Sequence, residues 1–289
     1  MASTGESCSW YLDPVVAKQK RQIHRELIYR WARDLAVGSF LKTDLFEEAN
    51  GADQILFDLY PAAQLSAGMD LCAETVRRAA RRCDNPTARF LVCDIRHPAL
   101  RPGCLDLIIS TSTLDHLETA AEFHAALAEL AGLLREGGLL IVTVDNPQNP
   151  LYRPLRWASR RGWTPFSLEH TVSMSELNRL LANVGLEVVG NDWLVHNPRV
   201  VSTLVWMGLR KLFRTHADGV IGSFLRLLER LGRLPTRGWT ACFIAACARR
   251  CPSQPGAELS LPDRAGVGVD PSHSGARLNP LRVDGLKNR

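Results

Sequence analysis

Asp70, Asp94, the pair Ser110-Thr111 and Asp145 each close a short apolar run of the sequence, and Thr43-Asp44 follow a shorter one, Phe40-Leu41. A carboxylate offers two acceptor oxygens and a vicinal diol two donors, so an acid at Asp70 suits the hydroxyls of a ribose. An acid at Asp94 can accept from an adenine amino group, and the backbone N–H of Ile95 can donate to a neighbouring ring nitrogen. Together these groups describe an adenosine pocket. Each acid also has a plainer use, as a solvent-facing loop residue or a helix N-cap. His116, just past the run Leu105–Ile109, is the best-placed side chain for moving a proton. His170 and His196 fall in later segments, and for any single histidine a structural role is the commoner one. No serine–histidine–acid order, metal-ligand spacing or phosphate-binding loop competes with this reading.

Strand ends of this kind need a parallel sheet behind them. The runs 65–71, 89–93, 105–109 and 139–144 are continuous apolar stretches, and helical patterns at 73–82 and 119–134 lie between them. That alternation predicts a sheet covered on both faces, and the right-handed crossover rule makes it doubly wound. Gly137-Gly138 is expected to close the helix before the fifth strand. A first helix is read over 16–36, with Ile23, Leu27, Trp31 and Leu35 as its apolar stripe. Further on, Ser173–Glu176 reads as a capping box opening a helix to Asn183. Strands are expected at 186–194 and 239–248, separated by helical patterns at 200–213 and 220–233. The resulting organisation is an N-terminal helical segment (1–36), an α/β domain (37–251) with a helical insertion (197–237), and a tail (252–289). The tail has five Pro, five Gly and no aromatic residue, so it is expected to be disordered.

Composition narrows the function classes. The chain has 289 residues, 46% hydrophobic and 22% charged, which suits a folded domain with a large core. No apolar stretch approaches the ~20 residues that span a bilayer, and the N-terminus shows no secretory pattern. The eight cysteines form no C-x-x-C pair and are read as reduced thiols of a cytoplasmic protein. The net charge of +5 is concentrated: Arg199 to Arg237 holds eight Lys/Arg against Asp218 and Glu229, and Lys18 to Asp34 holds six against two acids. Such stripes are either solvated faces or surfaces for phosphate. In 199–234 they flank apolar residues at helical spacing, which suits a helical cap on the sheet or peripheral docking on an anionic membrane.

The stretch FLVCDIRHPALRPGCLDLIISTSTLDHL, within Arg89–Leu117, resembles the centre of a class I S-adenosylmethionine-dependent methyltransferase of the small-molecule type. ALAELAGLLREGGLLIVTV, ending at Val144, is similar to that family's fifth strand and preceding helix, and Gly238–Ala248 resembles its antiparallel seventh strand. The resemblance covers about Leu35 to Arg249. It implies a seven-stranded, mostly parallel Rossmann-like sheet and S-adenosyl-L-methionine as cofactor. It also implies a cofactor site of Thr43, Asp44, Asp70, Leu71, Asp94, Ile95 and Ser110. Asp70 would hold the ribose, Asp94 the adenine amino group, Ile95 the ring nitrogen, and Ser110 would line the methionine side. No metal is implied.

One departure stands out. The family's first strand runs into a loop of the form G-x-G-x-G, and here Asp44, Phe46 and Glu48 stand at the glycine positions. Glycine permits close backbone approach to a cofactor. Acids instead suit a cationic cofactor and would repel a phosphate, which counts against a dinucleotide. The reading is therefore methyl transfer to a small-molecule or lipid-like acceptor, with His116 as the base if one is needed. The alternative is a catalytically degenerate member kept as a binding or regulatory module. The sequence Ser110-Thr111-Ser112-Thr113 lacks the Asn/Asp-Pro-Pro-Tyr-type loop of the N6-adenine enzymes, so a nucleic-acid substrate is disfavoured.

Overall fold

The protein is described by a computed structural model over residues 13–51, 54–163, 168, 170–197, 205–206, 208–209, 211–212 and 217–252. The tail from residue 253 onward and most of the helical pattern at 200–213 lie outside the described residues.

Seven strands form one sheet: β1 (Ser39–Thr43), β2 (Leu65–Asp70), β3 (Ala88–Val92), β4 (Leu105–Thr111), β5 (Leu134–Asp145), β6 (Leu186–Leu194) and β7 (Phe243–Arg250). Their order is β3-β2-β1-β4-β5-β7-β6. The first five are parallel, and β7 runs antiparallel between β5 and β6. β4 is buried along its whole length, as a central parallel strand covered on both faces must be. The order reverses between β1 and β4, so the crevice beyond the carboxyl ends of β1, β2 and β4 is where such a sheet binds ligands.

Helices α1 (Pro14–Trp31), α2 (Phe46–Asn50) and α3 (Ala73–Arg81) are followed by α4 (Ala120–Leu133), α5 (Tyr152–Arg160), α6 (Met174–Asn183), α7 (Ala217–Glu229) and the short turn α8 (Arg237–Thr240). The alternation of side chains along each strand divides the core in two. On one face Leu41, Ile108, Leu140 and Val142 meet Phe123, Leu127 and Leu130 of α4 and Leu177 and Leu181 of α6. On the other face Phe40, Leu107, Ile109 and Ile141 meet Leu27 and Ile28 of α1 and Val76 and Ala79 of α3. Full burial of one such side chain contributes about 1.5–3 kcal/mol.

Several boundaries differ from the sequence reading, each for a local reason. α1 is capped by Asp13, whose carboxylate accepts from the N–H groups of Val15 and Val16, and it ends at Trp31 rather than Ala36. Gly137-Gly138 do not close α4. They lie within β5, where the register against β4 shifts between Leu105 and Leu107. Gly137 takes φ +78°, and a Cβ on Gly138 would stand 2.9 Å from the Arg135 carbonyl. β7 begins at Phe243 because Arg237–Thr240 turn helically and Trp239 faces out. The α4 start carries a reciprocal capping box between Thr119 and Glu122. In the insertion, Ala217, Ile221 and Leu225 of α7 are buried with Trp206, against Val15 and Val16 of α1. Phe224 of the same stripe is exposed.

Candidate functional site

The turn after β1 replaces glycines with a charge cluster. Asp44 has φ 64°, the left-handed conformation that glycine would supply, and its Oδ1 accepts from the Phe46 N–H at 2.7 Å. Lys42 is 0% exposed and faces the α1–α3 side of the sheet. Its ammonium donates to the Asp44 carbonyl at 2.6 Å and to Glu48 Oε2 at 2.9 Å. Glu48, also 0% exposed, accepts from the N–H groups of Ile55 and Leu56 through its other oxygen. Glu47 pairs with Lys20 of α1 at 2.8 Å and lies 3.5 Å from the Lys42 ammonium. A buried ammonium therefore pins the turn from beneath, and both glutamates are spent on holding it.

These pairings decide which acid faces a ligand. Burial works against the charge on Lys42, but Glu48, Glu47 and Asp44 outweigh it and hold the ammonium ionised. Burial likewise works against an ionised Glu47, and Lys20 and Lys42 outweigh it, holding that carboxyl well below its usual range. Asp44 goes the other way. Desolvation and the Glu47 carboxylate, with a further push from Asp70, raise its carboxyl to about 7. His24, beneath the cluster, is lowered to about 4 by burial and by Lys20.

The ends of β2 and β4 join this turn. Asp70 Oδ2 accepts from the Leu45 N–H at 3.0 Å, and its Oδ1 accepts from the Cys72 N–H at 2.7 Å. Each oxygen keeps a further lone pair for a hydroxyl. Leu71 beside it is an exposed apolar side chain, 70% accessible. Thr43 and Ser110 are fully buried and bonded to each other at 3.0 Å, and Thr43 also meets the Thr113 hydroxyl at 2.7 Å. Ser112, between them, has φ 51°.

The end of β3 is arranged differently. Asp94 is gripped by Arg96: Oδ1 accepts from its backbone N–H and Nε, and Oδ2 from its Nε and Nη2, at 2.7–3.1 Å. These bonds hold the Asp94 carboxyl below its usual range. Arg96 also pairs with Glu122 of α4. An adenine amino group at Asp94 therefore requires Arg96 to move. Ile95 is buried beside it. His116, in a helical turn Leu114–His116 after β4, is exposed. The structure thus sets Thr43 and Ser110, bonded to each other, beside the turn that Asp44 and Asp70 brace, and leaves the His116 side chain exposed.

A second concavity lies beyond β5 and β7, lined by Asp145, Asn146, Asn149, Leu151, Tyr152, Leu155, Leu168 and Cys242. Burial pushes the Tyr152 phenol up to about 12. Asp115 braces one of the lining residues by accepting from the Asp145 N–H at 3.1 Å. Among the described residues no group of three or more His, Cys, Asp or Glu could hold a metal ion.

Sequence reading missed the ion-pair roles of Lys42, Glu47 and Glu48, the last read as an acid suited to a cationic cofactor, and it missed Arg96 and Tyr152. A signal existed for the first three: four charged residues within Lys42–Glu48, at the end of an apolar strand, can be buried only by pairing with one another. Asp94-x-Arg96 is a similar local clue.

For the cofactor that the fold implies, the ribose and methionine sides fit. Asp44 and Asp70 both belong to this turn, and Asp44 is held partly protonated because desolvation, Glu47 and Asp70 outweigh Lys42. The chain matches the family model described as a methyltransferase domain over residues 49–142, beginning just after the charged turn. A protein of Mycobacterium tuberculosis named an uncharacterized methyltransferase is 33% identical over 94 residues, 32% of this chain and 46% of the relative, so the chain spans about half the length of that relative. A malonyl-[acyl-carrier protein] O-methyltransferase of Geobacter sulfurreducens is 27% identical over 233 residues, 76% of this chain and 84% of the relative. Among solved structures, the N-methyltransferase NodS of Bradyrhizobium japonicum in complex with S-adenosyl-L-homocysteine superposes with a TM-score of 0.52 at 17% identity. That match covers 85% of this chain and 93% of the other, a likeness of fold.

Proposed function

We propose, from the premise that this is a chain of the class I methyltransferase fold carrying a methyltransferase domain, that it uses S-adenosyl-L-methionine to methylate a small-molecule or lipid-like acceptor. The observation that carries the reading is the bond from the Leu45 N–H to Asp70. It assembles the turn after β1 and the acid ending β2 into one unit at the topological switch point. When bound, the cofactor supplies a methyl group on a sulfonium. Asp70 accepts from the ribose hydroxyls, Asp44 faces the cationic end, and Leu71 offers an apolar surface to the base. Ser110, with Thr43 and Thr113, lines the methionine side. Ile95 and, once released from Arg96, Asp94 bound the adenine. The protein's chief contribution is to hold donor and acceptor in line.

The concavity beyond β5, about 30 Å³, receives one end of the acceptor. Its mixed lining of Tyr152, Asn146 and Asp145 with Leu151, Leu155 and Leu168 suits a molecule with one polar group on an apolar body. His116 is exposed, so it serves as a base only for an acceptor reaching the turn after β4. A second reading, a non-catalytic binding module, rests on the charged turn, because side chains fixed by the buried Lys42–Glu48 pair stand where a glycine loop would permit close backbone approach. Incubation of the full chain with methyl-labelled S-adenosylmethionine and panels of amine, carboxylate, phenol and lipid acceptors separates the two. Label transfer to any acceptor supports the enzyme; binding of the cofactor without turnover on every class supports the module.

A further inference from the structure

The segment Leu151 to Trp163 contains Arg153, Arg156, Arg160 and Arg161, two tryptophans and no acidic residue. α5 divides these side chains cleanly. Tyr152, Leu155, Arg156 and Ser159 recur at helical spacing and are half-buried; Tyr152 and Leu155 line the concavity beyond β5. Arg153, Trp157, Arg160 and Arg161 form the opposite, exposed stripe. Trp157 is 50% and Trp163 67% exposed. They are not loose: the Arg161 guanidinium lies 4.1 Å from the Trp157 ring centre and 5.6 Å from that of Trp163, and the two indoles meet edge to face at 5.1 Å. The same rim continues into α8. There Trp239 is exposed, and the Asn146 side-chain amide donates to the carbonyls of Gly238 and Ala241.

We infer that α5 and Trp163 form a docking surface for an anionic lipid bilayer, set at the mouth of the concavity beyond β5. Indole rings with adjacent arginines are the groups that settle at a headgroup boundary. Three exposed arginines, Arg153, Arg160 and Arg161, in a segment with no acidic residue of its own, complement an anionic surface. Among the described residues no helix is long and apolar enough to cross a membrane, so the contact is peripheral. The insertion is the weaker candidate, because Ile221 and Leu225 of α7 are already packed against α1. Single-stranded nucleic acid is the weaker partner, because base stacking needs open ring faces and Arg161 covers that of Trp157. That the concavity receives a lipid-borne acceptor rests on the proposed function; the docking itself does not.

The test is co-sedimentation of the full chain with phosphatidylcholine vesicles, with and without phosphatidylglycerol. Binding is expected only to the anionic vesicles, and it should weaken as salt rises. Arg160→Glu with Arg161→Glu should lower the affinity at least tenfold, given about fivefold per basic residue at such a surface. Arg230→Glu with Arg233→Glu should leave it unchanged. Trp157→Phe with Trp163→Phe should sharply reduce quenching of tryptophan emission by brominated lipid, leaving at most that of Trp239, while the melting temperature is unchanged. Equal binding to neutral and anionic vesicles, full binding by the Arg160/Arg161 variant, or retention of a single-stranded oligonucleotide but not vesicles would overturn the inference. S-adenosylmethionine binding, measured on the same samples, reports on the cofactor site independently of the docking surface.

Discussion

Asp44 makes cofactor binding depend on pH in a way that can be worked out in advance. Its carboxyl is raised to about 7 by desolvation, by Glu47 and by Asp70, against the opposing effects of Lys42 and the Phe46 N–H. A cationic ligand favours the ionised carboxylate, so binding releases the proton and affinity rises with pH up to about 7. With that value, about 3% of Asp44 is ionised at pH 5.5 and about half at pH 7. The expected gain is therefore about fifteenfold, close to 1.6 kcal/mol. Equilibrium dialysis of S-adenosylmethionine across this range measures it directly. S-adenosylhomocysteine, which lacks the sulfonium, should show a smaller gain if Asp44 faces the sulfur. Asp44→Asn should flatten the profile. An equally steep profile in the Asn variant would refute the reasoning, since the titrating group would then lie elsewhere.

The same raised carboxyl destabilises the empty protein as pH rises, because the folded state holds a proton that the unfolded chain has lost. Asp44→Asn should therefore melt higher than the parent, by a margin that grows from pH 4 to 7 and is flat above. Lys42→Met removes the ion-pair partner of Glu48 at 0% exposure and should cost about 3–5 kcal/mol in denaturant unfolding. Adding Glu48→Gln keeps the acceptor for Ile55 and Leu56 and should restore more than half of that loss. Gly68→Ala places a Cβ 2.6 Å from Leu45 Cδ2 and 2.7 Å from Leu56 Cδ2. It should cost about 1–3 kcal/mol and, by shifting Leu45, also weaken cofactor binding.

The sheet was legible because its signals are long and redundant. Five apolar runs closing in polar residues predict a parallel sheet, and Leu186–Leu194 was placed to the residue. Where the reading slipped, short-range geometry had won over pattern. Gly137 is needed for a bend inside β5, not for a helix end, and nothing in the composition of Gly137-Gly138 distinguishes the two. The acids at 70 and 94 were equally visible, yet the structure treats them differently. Asp70 is tied to backbone N–H groups and keeps acceptor capacity, whereas Asp94 is taken up by Arg96. That difference depends on a side-chain conformation two residues away, which periodicity does not encode. Lys42 is the largest omission. A lysine to which the sequence reading gives no role is the buried centre of the turn, and the acids that seemed free to meet a cation are mostly its partners.

Calorimetric titration of S-adenosylmethionine into the full chain and into its Asp70→Ala variant tests the central claim most directly. Saturable one-to-one binding to the parent is expected. A tenfold to hundredfold loss is expected in a variant that still unfolds cooperatively, the equivalent of about 1–3 kcal/mol for hydrogen bonds to a buried diol. No measurable heat with the parent, or unchanged affinity in the folded variant, would contradict it.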